Sequence, residues 1–195
     1  MVVGDIADFI NTDYHPVVEP HERQDPDDWY EYPRSLDGCY FEFSVDEILI
    51  PNRACRFSDP QNNEYPHIGR KTRYIPEAKP LPFCTDDWWL LLGGRYLFVT
   101  QETIHLPLSM ATILMGRRSL HTLGASFDTS AVAQGYDGRL VIPATVHDDY
   151  FFKIQQGTLF LAGIFFEVGN WNKVTSYQGI WGGNKITTSG VERGR

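Results

Sequence analysis

From Pro80 to about residue 166 the chain consists of short apolar runs that recur about every ten residues. Glycines fall between many of these runs, and no helical period persists for more than about two turns. The runs are residues 88–92, 96–99, 103–106, 111–115, 140–142, 151–154 and 159–166. Short apolar segments separated by turn residues are typical of a β-sandwich or barrel. The sequence therefore predicts an all-β fold, and a 14% share of aromatic residues favours the same class.

The first third of the chain has a different pattern. Residues 1–33 form an acidic, proline-containing segment in which only 4–10 fits one short helix. Apolar and polar residues then alternate over 40–47, which predicts a strand with one apolar face. Residues 52–73 are mostly polar and are predicted to be a long loop or arm.

The charge and the cysteines exclude several classes of protein. A net charge of −8 argues against general nucleic-acid binding, which needs clustered Lys and Arg, but it leaves room for a single nucleotide. Cys39, Cys55 and Cys84 show no CxxC spacing, so we expect buried free thiols rather than disulfides or a zinc site. His15 and His21 stand among carboxylates without a repeated ligand spacing, and we expect them to be surface residues.

No apolar run reaches the ~20 residues of a membrane span, and Asp5 and Asp8 replace the cationic start of a signal peptide. At 195 residues the chain has room for one sizeable core. These features predict a soluble protein without a membrane partner. We expect it in the cytoplasm.

Several segments carry more specific patterns. Residues 94–107 read GRYLFVTQETIHLP, residues 111–124 read ATILMGRRSLHTLG, and residues 130–139 read SAVAQGYDGR. Shorter elements are PRSLD at 33–37, the Gln156-Gly157 pair followed by IFF at 164–166, and YQGIWGG at 177–183. In this order and spacing, the segments resemble the motifs of the dUTPase/dCTP deaminase superfamily in its archaeal and viral branch.

The resemblance implies a distorted jelly-roll (β-clip) protomer that forms a homotrimer, with each active site closed at a subunit interface. It divides the chain into an N-terminal extension at 1–33, a dUTPase-like β domain at 34–170 and a C-terminal arm at 171–195. The ligand it implies is a deoxynucleoside triphosphate. We expect no protein-bound metal or cofactor, and Mg²⁺ only if the protein is enzymatically active.

The resemblance also implies substrate-binding residues, each with an alternative role. Arg117 and Ser119 match phosphate donors, but in this fold such residues also build the subunit interface. Gly135 and Tyr136 match the sugar pocket, although a tyrosine is also a good strand residue. Trp181 matches an aromatic residue that stacks on the base, and it would serve equally well to anchor the tail on a neighbouring subunit.

The departures from the motifs concern chemistry. Arg118 and Thr122 stand where the second motif has Ser and Arg. Ala133 stands where the hydrolases carry their Asp, and Pro143 stands where the deaminases carry their Glu. Neither residue transfers protons, so no catalytic residue is assigned. The nearest carboxylates, Asp128 and Asp137, lie off the motif positions.

Three functions remain open from the sequence. The first is a non-catalytic structural or assembly subunit, for instance of a viral particle, in which case we expect the protein in a virion assembled in the cytoplasm. The second is an active dUTP diphosphatase or dCTP deaminase with a displaced acid. The third is a regulator that binds nucleotide without turning it over. The missing acids favour the first.

Overall fold

A computed structural model describes residues 40–51 and 78–169, together with four short strands outside these ranges. The predicted helix at 4–10, Cys39 and Cys55, His15 and His21, and Trp181 lie outside the described residues. The 1–33 extension and the 171–195 arm lie outside them too, except for one short strand in each.

The described residues form fourteen strands and one five-residue helix, as the all-β prediction requires. The strands are β1 Val18–Glu19, β2 Tyr40–Pro51, β3 His67–Ile68, β4 Thr72–Ile75, β5 Ala78–Pro80, β6 Trp88–Leu91, β7 Gly94–His105, β8 Met110–Gly116, β9 Ala125–Phe127, β10 Ser130–Val132, β11 Asp137–Val146, β12 Phe152–Gln155, β13 Leu159–Glu167 and β14 Gly190–Arg193. The helix α1 spans Arg118–Thr122.

Two sequence predictions need correction. The runs at 96–99 and 103–106 are parts of one twelve-residue strand, β7, because the polar residues between them are also in the sheet. The predicted loop at 52–73 contains β3 and the start of β4, and β4 also pairs with β14 near the chain's end. Strand pairing between segments distant in sequence leaves no local pattern to detect.

The main sheet is antiparallel in the order β10-β8-β13-β2-β7-β11-β9, with β1 added to β7 and β5 added to β2. Strand β2 changes partner midway. Its first half, up to Ser44, pairs with β13, and its second half, from Val45, pairs with β7. The sheet thereby curls around one large core, and Leu49, Ala78 and Val99 form a second, smaller cluster.

Aromatic rings from three strands meet in that core. The ring centroid of Phe98 on β7 lies 5.1 Å from that of Phe127 on β9 and 5.3 Å from that of Phe160 on β13. Gly116 fits beside them only without a side chain, because a Cβ there would lie 2.7 Å from the Phe127 ring. The short runs that predicted the fold thus supply its core.

A buried carboxylate holds the point at which β2 changes partner. The Ser44 backbone N–H donates to both carboxylate oxygens of Glu102, at 3.1 and 3.0 Å, and the Ser44 hydroxyl donates to Oε1 at 2.6 Å. Glu102 is only 2% exposed. Burial raises the pKa of the Glu102 carboxyl above 4.5, although the Ser44 hydrogen bonds and Arg139 act to lower it.

A second set of polar contacts surrounds the adjacent bulge of β2. The Arg139 guanidinium forms an ion pair with Asp46 and donates from Nε to the Thr100 carbonyl at 2.6 Å. Gln156 donates to Oδ1 of Asp46 at 3.0 Å. We call Ser44, Asp46, Thr100, Glu102, Arg139 and Gln156 the β2 junction. It satisfies polar groups that the irregular strand pairing leaves out of the sheet's hydrogen bonds.

Two further observations concern the surface. Cys84 lies exposed in the turn before β6, so the expectation of a buried thiol is wrong at this position. Its neighbours Phe83 and Thr85 are exposed as well.

None of the helical structure in the described ranges has the length and hydrophobicity that crossing a bilayer requires.

Replacing Glu102 with Gln is expected to change how stability depends on pH. Because the folded-state pKa is raised, the folded protein holds this proton more tightly than the unfolded chain. The wild type should therefore lose stability relative to Glu102→Gln as the pH rises above about 4.5 through the folded pKa. Urea unfolding at fixed protein concentration over this pH range measures the difference. Glu167→Gln, at the exposed end of β13, is the matched control, and parallel profiles for wild type and Glu102→Gln would refute the effect.

Truncating the core ring of Phe98 to Ala should cost about 3–5 kcal/mol in the free energy of unfolding, because it leaves a cavity between three strands. Phe151→Ala, at a residue that is 74% exposed, should cost about 0.5 kcal/mol or less in dilute solution. Chemical denaturation of both variants tests the assignment of the core. Equal losses would contradict it.

Candidate functional site

The turn that carries Gly135 and Tyr136 connects β10 to β11. Gly135 has a φ of +71°, in the left-handed region that favours glycine, and the Tyr136 N–H donates to the Ala133 carbonyl at 3.3 Å. The Tyr136 ring is buried, and its hydroxyl donates to the Arg139 carbonyl at 2.6 Å. Tyr136 therefore has a role in the fold, as part of the turn before β11, and its contact with a sugar stays a prediction.

Arg117 lies at the other end of the motif-bearing region, between β8 and α1. Its Nε lies 3.1 Å from Oε1 of Glu42, whose side chain is 9% exposed. Its backbone N–H donates to the Phe160 carbonyl at 3.0 Å. Ser119 is exposed on α1. The predicted phosphate donor is thus already paired with a carboxylate of its own protomer.

The structure separates the two halves of the predicted site within one protomer. Val132, just before the Gly135 turn, pairs with Thr112 near the start of β8, whereas Arg117 follows the end of that strand. Five residues of extended chain span about 16 Å. Arg117 and Ser119 therefore lie at the opposite end of β8 from Gly135 and Tyr136, so one protomer does not bring them together.

The two positions at which the family carries its acids are both exposed. Ala133 lies in the turn after β10, and Pro143 lies on β11 opposite Leu97 of β7. Of the nearby carboxylates, Asp128 is exposed, and Asp137 lies 2.8 Å from Nδ1 of His105. A His–Asp pair therefore sits directly after Tyr136, on the two strands β7 and β11.

Within 40–51 and 78–169, no three His, Cys, Asp or Glu side chains are grouped so that they would hold a metal ion.

Two contacts were not predicted from the sequence. The alternation over 40–47 places Glu42 and Asp46 on the polar face of β2, but Glu42 is buried against Arg117 and Asp46 forms an ion pair with Arg139. The acidic residues beside the apolar residues of β2 were the only local signal for these two contacts. Their partners lie at least 75 residues away in sequence, a separation of 117 − 42.

Sequence comparison finds archaeal relatives. The chain is 30% identical over 109 residues to a probable deoxyuridine 5'-triphosphate nucleotidohydrolase of Methanosarcina acetivorans, covering 56% of this chain and 63% of the relative. It is 27% identical over 114 residues to the protein of the same name from Archaeoglobus fulgidus, covering 58% and 66%. The matched part of the chain thus spans somewhat less than two thirds of each relative.

A solved deaminase structure shares the fold of this chain. The crystal structure of 2'-deoxycytidine 5'-triphosphate deaminase from Agrobacterium tumefaciens aligns with a TM-score of 0.51 at 13% identity, covering 78% of this chain and 44% of the deaminase. No protein-family model matches the sequence. The archaeal relatives in sequence and the deaminase in fold thus support the resemblance of this chain to the dUTPase/dCTP deaminase superfamily.

Proposed function

We propose that this protein is a catalytically inactive member of the superfamily that serves as a trimeric structural or assembly subunit. The observation that carries the proposal is the identity of the two acid positions, Ala133 and Pro143. Neither side chain exchanges a proton in water, so neither hydrolysis nor deamination has its usual acid or base.

The matched motif residues support this proposal through what they contact. Thr100, Glu102, Arg139 and Gln156 all match the motif segments, and all belong to the β2 junction. Tyr136 is bonded to the Arg139 carbonyl. Their contacts in the fold therefore suffice to explain why these residues match the motifs. An inactive protein needs the same fold as an enzyme does.

The size of the catalytic loss is the second argument. A positioned general acid or base contributes typically ~10²–10⁴-fold in rate. A displaced carboxylate replaces it only if the reacting atoms are positioned to a fraction of an ångström. Asp137 is the nearest displaced candidate, and His105 already engages it.

An active dUTP diphosphatase is the second candidate function. It is favoured by the archaeal relatives, which are named probable dUTP nucleotidohydrolases, and by the Asp137–His105 pair beside Tyr136. In such an enzyme Asp137 would orient His105, and the pair would replace the acid that is absent at Ala133.

The proposed trimer uses the outer face of β8, β10 and β13. Ile113 of β8 lies opposite Ile164 of β13 and Ala131 of β10, and Met115 lies opposite Ala162. Ile113 and Met115 are exposed, while Ile164 and Phe166 are half-buried. The apolar outer face around Ile164, on a sheet whose inner face is the core, is suited to contact with other protomers.

A trimer would also bring together the two groups of site residues that lie at opposite ends of β8. Because about 16 Å of β8 divides Arg117 from the Tyr136 turn within one protomer, the two groups can meet only across an interface. Assembly and any residual nucleotide binding are therefore expected to depend on the same contacts.

Placing a carboxylate on the proposed trimer face should dissociate the protein. Ile113→Glu with Ile164→Glu would set two like charges opposite each other in an apolar contact, so we expect monomers where the wild type is a trimer. Light scattering at micromolar concentration measures the mass. Lys79→Glu, at an exposed position on β5, is the control. A monomeric wild type would refute the trimer.

The purified protein is expected to show no turnover of dUTP or dCTP, with or without Mg²⁺. Pyrophosphate release reports the first reaction and ammonia release the second, with an active dUTPase and an active dCTP deaminase as positive controls. The reason is the absence of a proton-transferring side chain at positions 133 and 143.

Asp137→Asn distinguishes the two candidate functions if turnover is seen. Turnover that disappears in Asp137→Asn, but persists in Asp128→Asn, would show that the acid has moved and that the second function is correct. Weak nucleotide binding without turnover agrees with the proposal.

A further inference from the structure

An ion pair on the outer face of the sheet involves the cation that matches the family's phosphate donor. Oε1 of Glu42 lies 3.1 Å from Nε of Arg117. The Glu42 side chain is 9% exposed, whereas that of Arg117 is 38% exposed. The pair therefore joins a buried carboxylate to a cation that is partly open to solvent, where a ligand could reach it.

The strand register explains how these two side chains meet. Glu42 on β2 lies opposite Ala162 on β13, and Ala162 lies opposite Met115 on β8. Facing residues share one side of a sheet. Arg117, two residues after Met115, still has an extended backbone (φ −69°, ψ 140°), so its side chain is on that side too. The small Ala162 leaves room for the long Arg117 side chain to lie across β13.

The burial of Glu42 makes the ion pair costly to open. A carboxylate that loses its cation inside a protein is strongly destabilised, because neither water nor another charge replaces the lost partner. A phosphate group that took Arg117 for itself would leave Glu42 buried and unpaired. Binding at Arg117 therefore competes with a contact that the fold already makes.

The local charge also opposes a bound phosphate. Arg118 and Ser119 on α1 are exposed and would add a second cation and a hydroxyl donor to a phosphate site beside Arg117. A phosphate on the Arg117 guanidinium would, however, lie close to the Glu42 carboxylate, which has the same sign of charge. This repulsion is screened less than between exposed groups, because Glu42 is buried.

We propose that Glu42 is an internal anion that occupies Arg117 and keeps polyphosphate groups out of this site. The inference rests on the proposed function, to which it adds a weakened substrate contact beside the missing acids at Ala133 and Pro143. The exclusion acts on the phosphate chain of a ligand and does not depend on its base or sugar. Glu42 thus determines which ligands the site accepts, and Arg117 serves the fold as the partner of a buried carboxylate.

Calorimetric titration with inorganic tripolyphosphate in Mg²⁺-free buffer tests this role of Glu42. Glu42→Gln keeps an oxygen that accepts from the Arg117 Nε–H but removes the negative charge. We expect this variant to bind tripolyphosphate about tenfold or more tightly than the wild type. Adding Arg117→Ala to Glu42→Gln should remove the gain. Glu167→Gln makes the same change in net charge at the exposed far end of β13 and should bind like the wild type.

Three results would overturn the proposal. They are a Glu42→Gln variant that binds no more tightly than the wild type, a gain that Glu167→Gln shares, and a gain that survives Arg117→Ala. Thermal unfolding and light scattering check that each variant keeps the fold and mass of the wild type. If Glu42→Gln does not fold, Glu42→Leu removes the same charge and carries the same expectation.

The titration is separate from the test of the proposed function. Tripolyphosphate has no base or sugar, so its binding does not depend on the reaction at the base or on the Tyr136 turn. Turnover of dUTP by the wild type would contradict the proposed function, and the affinity of Glu42→Gln for tripolyphosphate would still decide the role of Glu42.

Discussion

The structure depends on the buried Glu102 carboxylate at the point where β2 leaves β13 and joins β7. A strand that changes partner leaves its backbone N–H without a ladder acceptor, and such a group is costly when buried. Glu102 accepts that N–H from Ser44 and also the Ser44 hydroxyl. The curled sheet, its aromatic core and the positions of the motif residues all follow from this change of partner.

The contacts around this change of strand partner also explain why the chain resembles the family. Arg139 fastens the adjacent bulge through Asp46 and the Thr100 carbonyl, and its own carbonyl accepts the Tyr136 hydroxyl. Residues that match the family's motifs are thus bonded to one another within a single protomer. An inactive protein with this fold would need these contacts as much as an enzyme does. Likeness over these segments therefore supports the shared fold more strongly than a shared reaction.

The fold class was predictable because alternation and turn residues are local signals. The strand over 40–47 and the runs at 111–115 and 159–166 correspond to β2, β8 and β13. The separation of Arg117 from Tyr136 was not predictable, because it depends on the register between β8 and β10. The partners of Glu42 and Asp46 were missed for the same reason, as strand order is not written in local sequence. The motif positions predict which residues line a site, whereas the strand register decides how far apart those residues lie.

The central claim is that the motif-matched residues serve the fold, and a double-mutant cycle on Asp46 and Arg139 tests it most directly. The free energy of unfolding is measured for Asp46→Ala, Arg139→Ala, the double variant and the wild type. Coupling between these two residues should be at least about 1 kcal/mol, since they share one hydrogen-bonded network. An Arg139→Ala variant as stable as the wild type, with coupling indistinguishable from zero, would contradict the account.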